Sequence, residues 1–173
     1  MRTVLITLAI LAPASPLAAQ DEVPRYLAAM NEELTAMELN AGCEATTPQR
    51  AHCSFTRRGT RSAQDFAVHV VYSDETDSVY AYVDRYLSAP PEAPATPVVL
   101  MRLMELNWTM LAGKFEWDSS DGEVRLAVFL HTDSNFDRRA FRSLVRSLLL
   151  LADRYHGELT ALLRQPAAPP SSP

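Results

Sequence analysis

Apolar residues recur at three- and four-residue steps near the start of the chain, and this spacing predicts a first helix from Pro24 to Asn40. Pro24 suits the first turn of a helix, where its missing N–H is not needed. The apolar stripe comprises Val23, Leu27, Met30, Leu34, Met37 and Ala41. Gly42 is predicted to stop the helix, because glycine readily takes the left-handed conformation that follows a last turn.

Alternation with a period of two then predicts strands. Residues 65–72 are β-branched and aromatic, and residues 78–86 (SVYAYVDRY) alternate most clearly. An earlier strand lies either in 44–47 or in 52–57, with a turn at 47–50 whose composition is typical of a reversal.

A stiff connector separates the first block of strands from a second helix. Residues 89–97 contain four prolines and are predicted to be neither helix nor strand. Thr96 is predicted to cap the second helix, with Pro97 at its first position. The helix is expected to end near Asn107, whose side chain would hydrogen-bond the last turn.

The last third of the chain predicts a hairpin and a third helix. Residues 114–117 and 123–130 flank an Asp-Gly pair that is typical of a tight turn. Asn135 or Asp133 is expected to cap the third helix, which keeps helical periodicity to about Arg164. The resulting order, α-βββ-α-ββ-α, predicts an α+β domain with a small antiparallel sheet of about five strands flanked by helices.

The two ends of the chain differ in composition from this domain. Residues 1–19 combine a positive start, a short apolar run and small residues before Gln20, which predicts a cleavable signal peptide. An uncleaved anchor is the alternative, although the apolar run is shorter than the roughly 20 residues that span a bilayer. Residues 20–164 form the predicted domain, and the Pro-rich residues 165–173 are predicted to be disordered.

The net negative charge of the chain restricts the classes of partner that it can bind. The chain has 16 Lys and Arg against 21 Asp and Glu, a net charge of −5 that becomes −6 when Arg2 leaves with the leader. An acidic surface repels phosphate backbones, so no nucleic-acid partner is predicted. No second apolar run is long enough to span a membrane, so no integral membrane segment is expected after the leader is removed.

The two cysteines are ten positions apart. In an exported protein, an even pair such as Cys43 and Cys53 indicates a disulfide. Two alternatives stay open: a pair of free buried thiols, or a metal held together with His52. Zinc sites recruit four ligands, and no fourth is evident here, so no metal or cofactor is predicted.

Catalytic patterns are missing from the sequence. It contains no Gly-x-Ser-x-Gly, His-Glu-x-x-His or phosphate-cradling glycine loop. The histidines lie on different predicted elements: His52, His69, His131 and His156. His131 could serve as a base, but an end-of-strand turn is the simpler interpretation. The acidic tip of the hairpin lacks calcium-loop spacing and is interpreted as a solvated turn.

The alternation in residues 78–86 produces a ladder of tyrosines. Val79, Ala81 and Val83 are predicted to face the core, while the other side carries Tyr80, Tyr82 and Tyr86. Tyrosine is common at binding surfaces because it is apolar with a polar tip, so these three residues are the predicted partner-binding surface. The alternative is that this face lies under a helix.

Residues 106–155 combine a Leu-Asn pair, a Gly-Lys-Phe strand start, an Asp-Gly-Glu-Val-Arg run and an amphipathic helix containing Ala-Asp-Arg-Tyr. With these features the chain resembles the YbjN family of bacterial sensory transduction regulators. The resemblance implies a fold like that of type III secretion chaperones, which bind protein segments and often dimerise. It transfers no catalytic residues. The leader, the cysteine pair and the proline connector depart from the family's usual pattern.

These observations predict a periplasmic or secreted bacterial protein that binds a protein or peptide partner without being an enzyme, in a chaperone-like or regulatory role, and that could form a homodimer. Two alternatives remain: a hydrolase-type enzyme with an unrecognised site, or a structural subunit of an envelope assembly. Histidines and carboxylates converging in one pocket would favour the enzyme. A tyrosine-lined groove beside an open sheet edge would favour the binding protein.

Overall fold

The computed structural model describes residues 23–133 and 135–164. The helices are α1 (Leu27–Ala36), α2 (Thr96–Thr109) and α3 (Arg138–Leu163). The strands are β1 (Gly42–Thr47), β2 (Arg50–Arg58), β3 (Asp65–Ser73), β4 (Ser78–Ser88), β5 (Lys114–Trp117) and β6 (Glu123–His131). The predicted leader (1–19), the predicted mature start at Gln20 and the Pro-rich tail (165–173) lie outside the described residues.

The six strands form a single sheet in the order β1-β2-β3-β4-β6-β5, and every neighbouring pair is antiparallel. The predicted α+β class, an antiparallel sheet flanked by helices, is confirmed. The sheet has six strands instead of about five because both alternative positions of the first strand are occupied, one by β1 and the other by β2.

The helices pack on one face of the sheet, and the hydrophobic core lies between the two layers. Alternate strand positions point into this core, as a half-buried sheet requires. The largest fully buried side chains are Tyr72, Phe141, Met30, Leu34, Leu126, Leu148 and Leu159. None of the helices in the described part of the chain is long and apolar enough to cross a bilayer.

Helix α1 ends earlier than the sequence predicts, and not at Gly42. Glu38 takes the left-handed conformation, with φ of 56°. The N–H of Leu39 bonds the carbonyl of Leu34, and the N–H of Glu38 bonds that of Thr35. This is a Schellman motif, in which the two bonds satisfy carbonyls of the last turn. Gly42 is instead the first residue of β1.

The β1–β2 hairpin carries the disulfide. Cys43 and Cys53 are direct cross-strand partners, with Cα atoms 4.0 Å apart, and their sulfur atoms are bonded. The Cys53 side chain is fully buried on the core side. The disulfide therefore ties the edge strand β1 to β2 above the core.

The caps of α2 and α3 differ from the predicted ones. Thr96 is the first helical residue and not the cap; its hydroxyl donates to the carbonyl of Pro90 at 2.6 Å and so closes the proline connector. Helix α3 is capped by Asp137, whose carboxylate accepts the N–H groups of the second and third helical residues. Neither Asn135 nor Asp133 caps it, because helical conformation begins only at Arg138.

Asp153 on α3 holds the β2–β3 loop against the helical layer. Its carboxylate accepts bonds from the backbone and hydroxyl groups of Thr60 and Ser62 and from the N–H of Arg61, at 2.8–3.1 Å. Burial alone would raise the pKa of Asp153, but these hydrogen bonds outweigh it and hold the pKa well below its usual range.

Candidate functional site

The face of the sheet opposite the helices, called the outer face here, carries aromatic and polar side chains. It includes His52, His69, Tyr80, Tyr82, Arg125 and Phe129, all of which keep some contact with solvent. On β4, the aliphatic positions that alternate with the tyrosines are buried, with exposures of 0–1%. Tyr80 and Tyr82 therefore lie on the solvent side of the sheet, as the alternation predicts.

Tyr86 does not share this face, and its assignment to the ladder is wrong. The pairing of β4 with β6 shifts register between Val83 and Leu87, and Arg85 within that bulge has φ of 44°. From Val83 to Leu87 β4 advances four positions while β6 advances only two, so two extra residues of β4 interrupt the regular alternation inside this bulge. Tyr86 is consequently 4% exposed, and its hydroxyl donates to the carbonyl of Ala152 on α3 at 2.8 Å.

The two remaining tyrosines are held in place by neighbours on the sheet. The hydroxyl of Tyr80 donates to Glu116 on β5, and the guanidinium of Arg125 lies over the Tyr82 ring, 5.1 Å from its centre. The two tyrosine rings are in contact, with centres 5.3 Å apart. Burial, and then the bond to Glu116, raise the pKa of Tyr80. Its hydroxyl is therefore a hydrogen-bond donor at neutral pH and is not poised as a base.

The C-terminal half of β6 directs backbone groups away from the rest of the sheet. Successive residues of an antiparallel strand bond alternately to its two neighbours. The N–H of Thr132 donates to the carbonyl of Asp77, beside β4, at 2.7 Å. Alternation then assigns Leu130 to β4 as well, while the N–H and C=O of Phe129 and His131 point to the opposite edge.

Strand β5 is too short to reach this part of β6. Its last pair joins Lys114 to Ala127. Within residues 23–133 and 135–164, no backbone group bonds Phe129 or His131 on that side. These two residues form what is called the free edge here.

A cavity of about 460 Å³ borders the free edge. It lies between β6, the loop that leads into β5 and the first half of α3, and most of its lining is apolar. The lining includes Tyr80, Leu111, Gly113, Phe129, Leu130, Ala140 and Leu144. Tyr80, predicted as a partner-binding residue, thus lines a groove beside an unpaired strand edge; Tyr82 does not line it but contacts Tyr80.

The other backbone edges are closed or poor in apolar surface. Asn107 does not end α2, which continues to Thr109; its amide instead bonds both backbone groups of Phe115 on β5, at 2.7 and 3.0 Å. At the far edge, β1 is short, polar and bulged between Ala45 and Thr47. Short, irregular strands are typical of protected sheet edges.

The histidines and carboxylates do not converge on one pocket in the described residues. His52 and His69 bond each other, His131 packs edge-on against Phe129, and the partly buried His156 packs edge-on against Phe66 and Tyr86. No group of three or more side chains in 23–133 and 135–164 could hold a metal ion. At the hairpin tip, Asp118 and Asp121 accept bonds from the turn itself, in agreement with the solvated-turn interpretation.

Sequence reasoning missed the free edge, the role of Asn107 and the pairing of His52 with His69. The histidines carried a usable signal, because His52 stands between Ala51 and Cys53 and His69 stands between Val68 and Val70, each as the polar residue between two apolar ones. The free edge carried none, because it depends on where β5 stops pairing.

Comparisons with known proteins identify the fold. No family model matches the chain, and no curated protein matches it. Among solved structures, the chain is similar to one chain of the crystal structure of the ExsC–ExsE complex, with a TM-score of 0.54 and 14% sequence identity. The match covers 79% of this chain and 97% of that one. The fold is therefore that of a type III secretion chaperone, while the resemblance to the YbjN family receives no separate support.

Proposed function

We propose that this protein is a non-enzymatic binding module, chaperone-like in function, that holds an extended segment of a partner protein along the free edge of β6. The observation that carries the proposal is the pair of unbonded residues, Phe129 and His131, beside an apolar cavity lined by Tyr80. An extended segment would bond the free backbone groups and place alternate side chains in the cavity. The similar ExsC–ExsE structure is itself a complex, which supports a protein partner.

The binding test uses peptides of about 12 residues selected from a random phage-displayed library on the purified protein. His131→Pro removes the N–H at the free edge but no bond to β4, so the sheet should survive. His131→Ala is the matched control, since it loses the same side chain and keeps the N–H. We expect His131→Pro to weaken peptide binding by at least about tenfold relative to His131→Ala, with both variants folded. Equal binding by the two folded variants would exclude strand addition at this edge.

We also propose that the protein is an exported, bacterial envelope protein of the YbjN type, acting after removal of residues 1–19. The leader pattern and the bonded cysteines support this, because disulfides persist in oxidising compartments. The intact mass of protein from an envelope fraction, alkylated before reduction, tests both features. A mass that includes residues 1–19, or that carries alkyl groups on Cys43 and Cys53, would contradict the proposal.

The solvent-facing side of helix α2, on the helical side of the sheet, is the proposed interface of a homodimer. Its large apolar residues at three- and four-residue steps are exposed: Val98, Met101, Met104 and Trp108. Trp108 is 90% exposed, and a stripe of this kind marks an interaction surface. Sedimentation equilibrium should show a dimer that Met101→Lys dissociates; a monomeric wild-type protein would refute the homodimer and leave the peptide test unaffected.

A further inference from the structure

Two histidines on neighbouring strands share a hydrogen bond on the outer face. His52 on β2 and His69 on β3 are diagonal neighbours, and Nε2 of His52 lies 2.9 Å from Nδ1 of His69. The ring of His69 also stacks on Tyr82, with centres 5.1 Å apart. Through Tyr82, which touches Tyr80, the pair is connected by direct contacts to the groove at the free edge.

The geometry is that of a shared proton and not of a metal site. The two imidazole planes differ by only 9°, and their centres are 5.1 Å apart. The nitrogen atoms therefore face each other within one plane, as a donor and an acceptor do. Two ligands of one zinc ion would instead aim their lone pairs at a common point about 2.0 Å from each nitrogen.

Charged and titratable groups surround the pair from three strands. Glu44 on β1 is the direct cross-strand partner of His52. Tyr82 and Asp84 on β4 and Arg125 on β6 act on His69. Burial lowers the pKa of His69, and the neighbouring His52 and Arg125 lower it further, whereas Asp84 opposes the shift.

We propose that the His52–His69 pair is a pH-dependent lock on the outer face, which keeps the tyrosines in their binding arrangement while the rings share one proton and releases them when both rings are fully protonated. This inference rests on the proposed function. With both nitrogens protonated, neither ring can accept, and two positive charges face each other at bonding distance. The rings must then separate, and His69 leaves its stack on Tyr82.

The sign follows from the lowered pKa of His69. Because the pKa of His69 is lowered, this ring resists protonation in the folded protein, so the lock is intact above the ordinary histidine value of 6.5 and opens as the pH falls below it. Binding at the free edge should therefore weaken in mild acid.

The structural arm of the test is an NMR titration of the whole protein from about pH 8 to about pH 4.5, following the imidazole and tyrosine ring signals. We expect the Tyr82 ring signals to move together with the protonation of His69, at a pH below the ordinary histidine value of 6.5. In His52→Gln the amide can bond His69 in either charge state, so the Tyr82 transition should disappear. The proposed lock would be refuted if the Tyr82 ring signals did not change while the histidines titrate. It would also be refuted if the Tyr82 transition persisted in His52→Gln.

The binding arm uses a selected peptide that lacks Asp, Glu and His, so that its own charge does not change. We expect its affinity to fall by about tenfold between pH 7.5 and pH 5 for the wild-type protein and by less than about threefold for His52→Gln. Equal loss in the two proteins would refute control of binding by the pair. If no peptide binds at pH 7.5, the proposed function fails, and the NMR titration still decides whether the lock exists.

Discussion

The two faces of strand β4 differ in how their side chains are used. On the covered face, Val79, Ala81 and Val83 are fully buried aliphatic groups with no polar partner. On the outer face, Tyr80 and Tyr82 are half-buried and are held by a carboxylate and a guanidinium from β5 and β6. The covered face obtains its stability from packing, whereas the outer face is ordered by specific contacts and stays accessible to a partner. One strand thereby serves as both scaffold and surface.

The strongest test of this comparison replaces one tyrosine on each face, the inward Tyr86 and the outward Tyr82. Tyr86→Ala empties a core position and removes the bond to Ala152, so we expect a loss of about 3–5 kcal/mol in the free energy of unfolding. Tyr82→Ala, on the outer face, should cost about 1 kcal/mol because its ring is only partly buried. Urea denaturation followed by circular dichroism measures both values.

Tyr86→Phe is the control for that experiment, because it keeps the ring and removes only the hydroxyl. Its cost should be about 1 kcal/mol, the value of one buried hydrogen bond, because the carbonyl of Ala152 lies inside α3 and keeps its helical bond. If Tyr82→Ala destabilises the protein as much as Tyr86→Ala does, the outer face is part of the core and the distinction between the faces is wrong.

Local patterns in the sequence predict much of the covered face. Alternation places Val79, Ala81 and Val83 inward, and an Asp-Gly pair locates the β5–β6 turn at Gly122, where φ is 77°. The two cysteines share a register position because they flank a short turn. Each of these features is decided by residues within about ten positions, so composition and period are sufficient.

The features that the sequence did not predict depend on contacts between residues that are far apart in the sequence. The bulge at Arg85 turns Tyr86 inward although no glycine or proline marks it. Asn107 closes the edge of β5 through Phe115, which only the tertiary fold brings beside it. The free edge of β6 depends on the length of β5, and the contact between His52 and His69 depends on strand register.

The disulfide offers a second and smaller test, at the edge strand β1. Cys43→Ser combined with Cys53→Ser releases β1 from β2, and we expect a loss of about 2.5 kcal/mol from the closure of a ten-residue loop. Thermal melting measures the loss, with dithiothreitol treatment of the wild-type protein as the control. A double variant as stable as the oxidised protein would mean that the hairpin needs no covalent link.

A third test concerns the polar contacts that hold loops and side chains on each side of the sheet. Asp153 anchors the β2–β3 loop to the covered side, as Glu116 anchors Tyr80 on the outer side. Asp153→Asn keeps an acceptor oxygen but loses the charge, so we expect a cost of about 1–2 kcal/mol at neutral pH.

The pH dependence of this stability cost shows whether the negative charge of the Asp153 carboxylate causes it. Because hydrogen bonds lower the pKa of Asp153, its contribution is present above the ordinary aspartate value of 3.8 and is lost as the pH falls below it. The difference in unfolding free energy between the wild-type protein and Asp153→Asn should therefore be constant from about pH 7 to about pH 5 and should shrink in stronger acid. A difference that does not change down to about pH 2 would show that the loop is held by shape and not by charge. Asp118→Asn, which alters a carboxylate bonded only within its own turn, provides the matched comparison and should cost less at every pH.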